Sequence, residues 1–152
     1  MKYKIQAVVL FGEKYSSMNK ILVGIDGSEG SQLALEKAMM LVSEGGEIIL
    51  IAVVPTVKEK TFVEISVYKK IKIKAYQLIK NTIKEIGREK FNIRGIVEEG
   101  DAAVKIIDIA VTLNVDLITL GSRGSSKIGV YPIGSIANKV VQYAHKPVMV
   151  VR

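Results

Sequence analysis

The stretch GSRGSSKIGVYPIGS, residues 121–135, combines four glycines, four serines, two cations and one proline. It follows the apolar run Val115-Asp116-Leu117-Ile118-Thr119-Leu120 and precedes the helix-like run Ile136-Ala137-Asn138-Lys139-Val140-Val141. Glycines let a backbone approach a ligand closely and adopt positive φ. Amide groups of such a loop, with the helix start that follows, form an anion site. Gly134 and Ser135 stand where that helix begins, and Pro132 just before them suits a helix's first turn. The chemistry is therefore phosphate binding, or else the loop is only a glycine-rich turn. Two standard phosphate fingerprints fail. Gly129 to Ser135 has the outer spacing of a Walker A loop with Ser135 in place of the lysine, and Gly24, Gly27 and Gly30 do not form G-x-G-x-x-G.

Other reactive side chains are few. There are no cysteines, which excludes disulfides, thiolate metal sites and cysteine nucleophiles. The single histidine, His145, sits in a helix-to-strand turn before Lys146-Pro147, expected at the sheet end away from the loop. Asp101 is expected to cap a helix, Asp108 to lie on one, and Asp116 to open a strand. Only Asp26 is a carboxylate expected near the loop. Hydrolysis needs a placed base and a water. No catalytic residue and no protein metal cluster is assigned, so efficient hydrolysis is not expected.

The elements that must hold these groups alternate. Strands are expected at 20–25, 47–54, 92–98, 115–120 and 147–151, and helices at 28–43, 64–88, 102–113 and from Ser135 to near His145. The strands are nearly continuous apolar runs, as in a sheet covered on both faces. Ser28 and Asp101 are N-caps, and Gly45-Gly46 and Pro55 end elements. The long helix keeps Val67, Ile71, Ala75, Leu78, Ile79, Ile83 and Ile86 at helical spacing. Five strands alternating with helices predict one doubly wound parallel α/β domain. Ligands of such sheets bind at the carboxyl ends of the strands, where strand order reverses. Asp26, Val53 and Val54, and the loop after Leu120 meet that condition.

The 152 residues suffice for one domain, and a 49% hydrophobic content excludes disorder. No apolar run approaches the ~20 residues of a membrane helix. The patch Ile5 to Phe11 is short, is interrupted by Gln6 and is followed by no Ala-x-Ala-like site, so a cytoplasmic protein is expected rather than a secreted one. Net charge is +7, and ten cations lie between Lys58 and Lys90. Few aromatics accompany them, so a solvated helix face is favoured over a nucleic-acid surface. Residues 1–17 precede a complete domain that begins at Met18. They suit an added edge strand (Tyr3 to Phe11), a partner-binding arm, or a start codon placed too early.

Lys20 to Ser28 (KILVGIDGS) resembles the opening of universal stress proteins. Glu99-Gly100-Asp101, Asp116 to Gly124 (DLITLGSRG), Gly134-Ser135-Ile136-Ala137 and Lys146 to Arg152 (KPVMVVR) resemble later blocks of that family, in order. The resemblance covers 18–152. Gly121, Gly124, Gly134 and Ser135 fit the pattern G-x2-G-x9-G-[S/T] of its ATP-binding subgroup without a gap. The resemblance implies a nucleotide-dependent regulatory or stress-response protein with strand order 3-2-1-4-5. It implies that Asp26 holds the ribose or base side of ATP or another adenine nucleotide. Val53 would line the adenine pocket, and Gly121, Gly124, Gly134, Ser135 and Ile136 would surround the phosphates with Mg2+ or Mn2+. It also implies a homodimer, through a last strand whose unpaired edge invites a partner. The segment SSKIGVYPI between Gly124 and Gly134 departs from the family's more aliphatic run, and Arg123 and Lys127 add charge there or are surface groups.

Overall fold

Strands that are apolar on both faces need cover on both sides, and this requirement sets the architecture. The computed structural model describes residues 6–8, 17–57, 61–87, 91–123 and 133–152. Its elements are β1 (Gln6–Val8), β2 (Lys20–Gly24), α1 (Glu29–Leu41), β3 (Glu47–Val54), α2 (Phe62–Ile86), β4 (Asn92–Glu99), α3 (Ala102–Thr112), β5 (Leu117–Gly121), α4 (Ser135–Tyr143) and β6 (Val148–Val151). One sheet runs β1-β6-β5-β2-β3-β4. Strands β2 to β6 are mutually parallel and, counted among themselves in chain order, stand 3-2-1-4-5 as expected. β1 adds a sixth, antiparallel strand on the outer side of β6.

Alternate residues divide the core. Ile21, Val23, Ile48 and Leu50 face α1 and α2, while Leu22, Ile49, Ile51 and Ile118 face α3 and α4. Each of these eight is fully buried, which contributes about 1.5–3 kcal/mol per side chain. The register Ile21↔Ile48 and Ile21↔Leu117 keeps the two sets on opposite faces. A slip of one residue would exchange them.

Three differences from the sequence reading have physical causes. Strand β5 begins at Leu117, because Asp116 accepts the N–H groups of Asn19 and Lys20 with Oδ2, each at 2.8 Å, and so tethers the strand start. Helix α2 begins earlier than expected, at Phe62, because Thr61 and Glu64 form a capping box. The same helix leaves Val67 and Ile71 exposed although their spacing predicts a packed face. Its 25 residues span about 37 Å, against about 26 Å for the eight-residue strands β3 and β4. Its first half therefore overhangs the sheet, and only Ile79 and Ile83 are buried. Gly95 of β4 makes room for Ile79, because a Cβ there would strike the Ile79 side chain.

One interior polar group stands out. Thr119 is fully buried between Val23 and Met149, and its Oγ1 has no hydrogen-bond partner among the described residues. A buried hydroxyl without a partner costs about 1–3 kcal/mol. Thr119→Val keeps the branched shape and removes that cost. The expected result is a rise of about 1 kcal/mol in stability, read as a higher urea midpoint at unchanged slope. An unchanged or lower midpoint would show that the hydroxyl is satisfied.

Candidate functional site

The connections of β2 and β5 leave the sheet in opposite directions, β2 toward β3 and β5 toward β6, so their carboxyl ends flank the switch point. Helix α1 starts directly over this point. Its second residue, Gly30, packs backbone to backbone on Gly121, the last residue of β5. A Cβ on Gly121 would lie 2.5 Å from the carbonyl carbon of Gly30, and a Cβ on Gly30 would lie 2.8 Å from the carbonyl oxygen of Arg123. Both contacts are with backbone, which cannot swing aside.

The turn between β2 and α1 is built by hydrogen bonds. Oδ1 of Asp26 accepts from the Ser28 N–H at 3.0 Å and from the Ser28 hydroxyl at 2.5 Å. The Ser28 oxygen in turn accepts from the Ser31 N–H at 3.2 Å and caps α1. Gly27 adopts φ +80°, the left-handed value that closes this turn. Asp26 thus sits exposed at the carboxyl end of β2, oriented through Ser28.

The end of β5 is fastened twice. The Ser122 N–H donates to the Val151 carbonyl at 2.7 Å, and the Ser122 carbonyl accepts from the Gly134 N–H at 2.5 Å. Ser122 is buried, and Ile133 packs on the α3–α4 side of the core. Gly121 and Gly134 are thereby brought to the same end of the sheet although thirteen positions separate them. Gly134 is the N-cap of α4, and Ser135 and Ile136 are its first, exposed residues. The four helices differ at this point. Ser28, Thr61 and Asp101 cap α1, α2 and α3 with side-chain oxygens, whereas α4 has no side-chain cap hydrogen bond among the described residues.

Val53 is half-buried near the end of β3, on the α3–α4 face, in register with Glu98. Asp101 donates no chemistry to the switch point. Its carboxylate accepts from the Val104 N–H at 3.1 Å and pairs with Lys139 of α4 at 3.3 Å, and these contacts hold it below the usual carboxylate range. His145 lies after α4 at the amino end of the sheet. Gly124, Lys127, Gly129 and Pro132 lie outside the described residues. No group of three or more His, Asp or Glu able to hold a metal occurs among the described residues.

Asp26, Gly121, Gly134, Ser135 and Ile136 are therefore brought to the carboxyl end, with Val53 one strand away. Gly30 and Ser122 complete the arrangement and escape the sequence reading. Their signals are a glycine one position inside a helix and a serine directly after the strand. The fold and these residues define a doubly wound α/β domain with a helix start suited to an anion at its switch point. Residues 18–152 match the sequence profile of the Universal stress protein family, and the chain belongs to that family. The universal stress protein YxiE of Bacillus subtilis is 30% identical over 146 residues, covering 88% of this chain and 99% of YxiE. The solved structure of MJ0577 of Methanocaldococcus jannaschii superposes with a TM-score of 0.80 at 28% identity, covering 89% of this chain and 96% of MJ0577. A universal stress protein from Archaeoglobus fulgidus, solved in complex with dAMP, shares the fold with a TM-score of 0.63 at 18% identity, over 89% of this chain and 98% of that one.

The glycine contact sets a clear expectation. Gly121→Ala and Gly30→Ala each force backbone apart and should cost about 2–3 kcal/mol in urea unfolding, with or without any ligand. Gly24→Ala is the control. Its Cβ would lie 2.5 Å from Cδ2 of Leu120 and 3.6 Å from Cδ1 of Ile106, both ends of side chains that can shift where backbone cannot, so the loss should be smaller than at either backbone contact. Equal costs at all three positions would contradict the special standing of the Gly30–Gly121 contact.

Proposed function

We propose that residues 18–152 form an adenine-nucleotide-binding domain of regulatory type, with ATP·Mg2+ or ATP·Mn2+ at the switch point. The observation that carries the reading is the start of α4. It is the one described helix without a side-chain cap, and it begins beside the end of β5. The first-turn N–H groups of a helix need an acceptor, and an anion supplies one. In this reading the backbone at Gly121, Gly124, Gly134, Ser135 and Ile136 surrounds the phosphates. Asp26 takes the ribose or base side, and Val53 lines the adenine pocket. The dAMP complex of the Archaeoglobus relative supports an adenine nucleotide as the ligand class on this fold. A divalent ion would be held chiefly by the phosphates, since carboxylates do not cluster at the described part of the site.

The protein is a binder in this reading and at most a slow hydrolase. Asp26, at the carboxyl end of β2, is engaged in orienting Ser28, and the histidine is at the other end of the sheet. Residues 1–17 form an extension to this domain. A cytoplasmic location and a homodimer through the last strand belong to the same proposal. No helix among the described residues is long and apolar enough to cross a membrane. The edge of β6, expected to be unpaired, is paired with β1, so a dimer through that edge requires β1 to leave it.

Calorimetric titration of nucleotide-stripped protein with ATP and magnesium tests the reading, beside a Gly134→Val variant. Gly134 has φ −67° and ψ 160°, which valine adopts without strain, so the variant should keep its fold while its side chain obstructs the phosphate position. Saturable binding by the native chain and at least about tenfold weaker binding by the variant, a difference of about 1.4 kcal/mol, is expected. Absence of binding by the native chain would refute the reading and favour an interaction module that uses the fold without nucleotide.

A further inference from the structure

Helix α2 carries more exposed apolar and basic surface than packing on the sheet accounts for. Its inward side is set by Ile79 and Ile83, which are buried, and by Ala75, Leu78 and Ile86, which pack on the same core. Tyr68 marks where the sheet beneath it ends, because its hydroxyl donates to Glu99, the last residue of β4. Residues 62–67 therefore project past the carboxyl end of that strand. At about 100° per residue, the outward side holds Lys69, Lys70, Lys80 and Lys84, all exposed. Among them stand Phe62, Val63 and Ile73, which are 89%, 69% and 55% exposed. Neither carboxylate of the helix lies on this side. Glu64 faces inward and bonds to Thr61 at the cap, and Glu85 is about a quarter turn aside.

We infer that the outward side of α2 seats the chain on an anionic lipid surface. The lysines meet the headgroups, and Phe62, Val63 and Ile73 enter the boundary of the acyl region. Such a seat needs positive charge and protruding apolar groups on one face of a helix, and this face has both. Lysine stems lie along apolar surface while their ammonium groups stay at the polar level, so the two kinds of residue act together. The stripe from Phe62 to Lys84 is about 33 Å long, and its first turns lie beyond the sheet, where a flat surface can reach them. Charge and apolar groups together select this occupant over others. A second copy of the same face would set lysine against lysine. A nucleic-acid backbone would satisfy the lysines and leave the three apolar side chains in water. The contact is peripheral, since no helix among the described residues is long and apolar enough to cross a membrane. It is independent of nucleotide binding.

The test is co-sedimentation of the full chain with vesicles of phosphatidylserine and phosphatidylcholine in equal parts, and with vesicles of phosphatidylcholine alone. Two variants run beside it, Lys69→Gln/Lys70→Gln/Lys80→Gln/Lys84→Gln and Phe62→Ser/Ile73→Ser. All six positions are exposed, so both variants should keep the fold, which circular dichroism and urea unfolding verify. The native chain should bind the mixed vesicles and not the neutral ones, and binding should weaken as salt is raised. Each variant should bind at least about tenfold more weakly. No binding of the native chain to the mixed vesicles, equal binding to both kinds, or undiminished binding by either variant would overturn the inference. A parallel titration with duplex DNA separates the alternative. DNA binding that the lysine variant loses and the Phe62→Ser/Ile73→Ser variant keeps, with no vesicle binding, would assign the lysines to nucleic acid instead.

Discussion

The contact between Gly30 and Gly121 is the constraint on which the rest of the candidate site depends. Two backbones approach there without any side chain between them. This lets the first turn of α1 settle on the end of β5, so that the Asp26-Gly27-Ser28 turn and the Ser122 carbonyl share one end of the sheet. Ser122 then fixes the start of α4 through Gly134. A methyl group at either glycine would push α1 away and separate the β2 side of the site from the β5 side. Gly121 is thus required by helix–strand packing whatever its closeness to a ligand.

The same economy runs through the helix starts. Asp101 spends its carboxylate on the first turn of α3 and on Lys139 of α4, which ties the two helices of one face together beside the site. Asp26 spends one oxygen on Ser28, and Ser28 on Ser31. These carboxylates are structural before they are anything else. At α4 the chain offers a glycine in place of a capping side chain, and so the phosphate reading centres on that helix. Electrostatics at the site is in this view a matter of backbone dipoles more than of charged residues, and six of the chain's lysines lie along α2.

Much of this architecture was legible from residue pattern. Ile21-Leu22-Val23 and Ile48-Ile49-Leu50-Ile51 could only be strands covered on both faces, because such runs have no polar side to present to water. Ser28 and Asp101 announced their helices, because a short side-chain oxygen just before an apolar helical period meets the unpaired N–H groups of the first turn. Pattern misled at α2. Val67 and Ile71 keep the helical phase of a packed face, but phase says nothing about where the sheet beneath the helix ends. At β6 the pattern left two readings open, a bare final edge or an added edge strand from Tyr3 to Phe11, and Gln6–Val8 realises the second; which edge it joins is a contact between the two ends of the chain, which pattern does not show.

The sequence by itself determined the order and type of most elements and the glycine–serine pattern around the loop, since these rest on local periodicity, capping and spacing, and its ordered motif blocks carried the resemblance to the family. Tertiary structure alone decided which glycines face each other, which helix start lacks a side-chain cap, and which strand edge is covered. Those properties depend on backbone segments far apart in the chain meeting within a few ångströms. Glycine carries no side chain to signal such a meeting in advance.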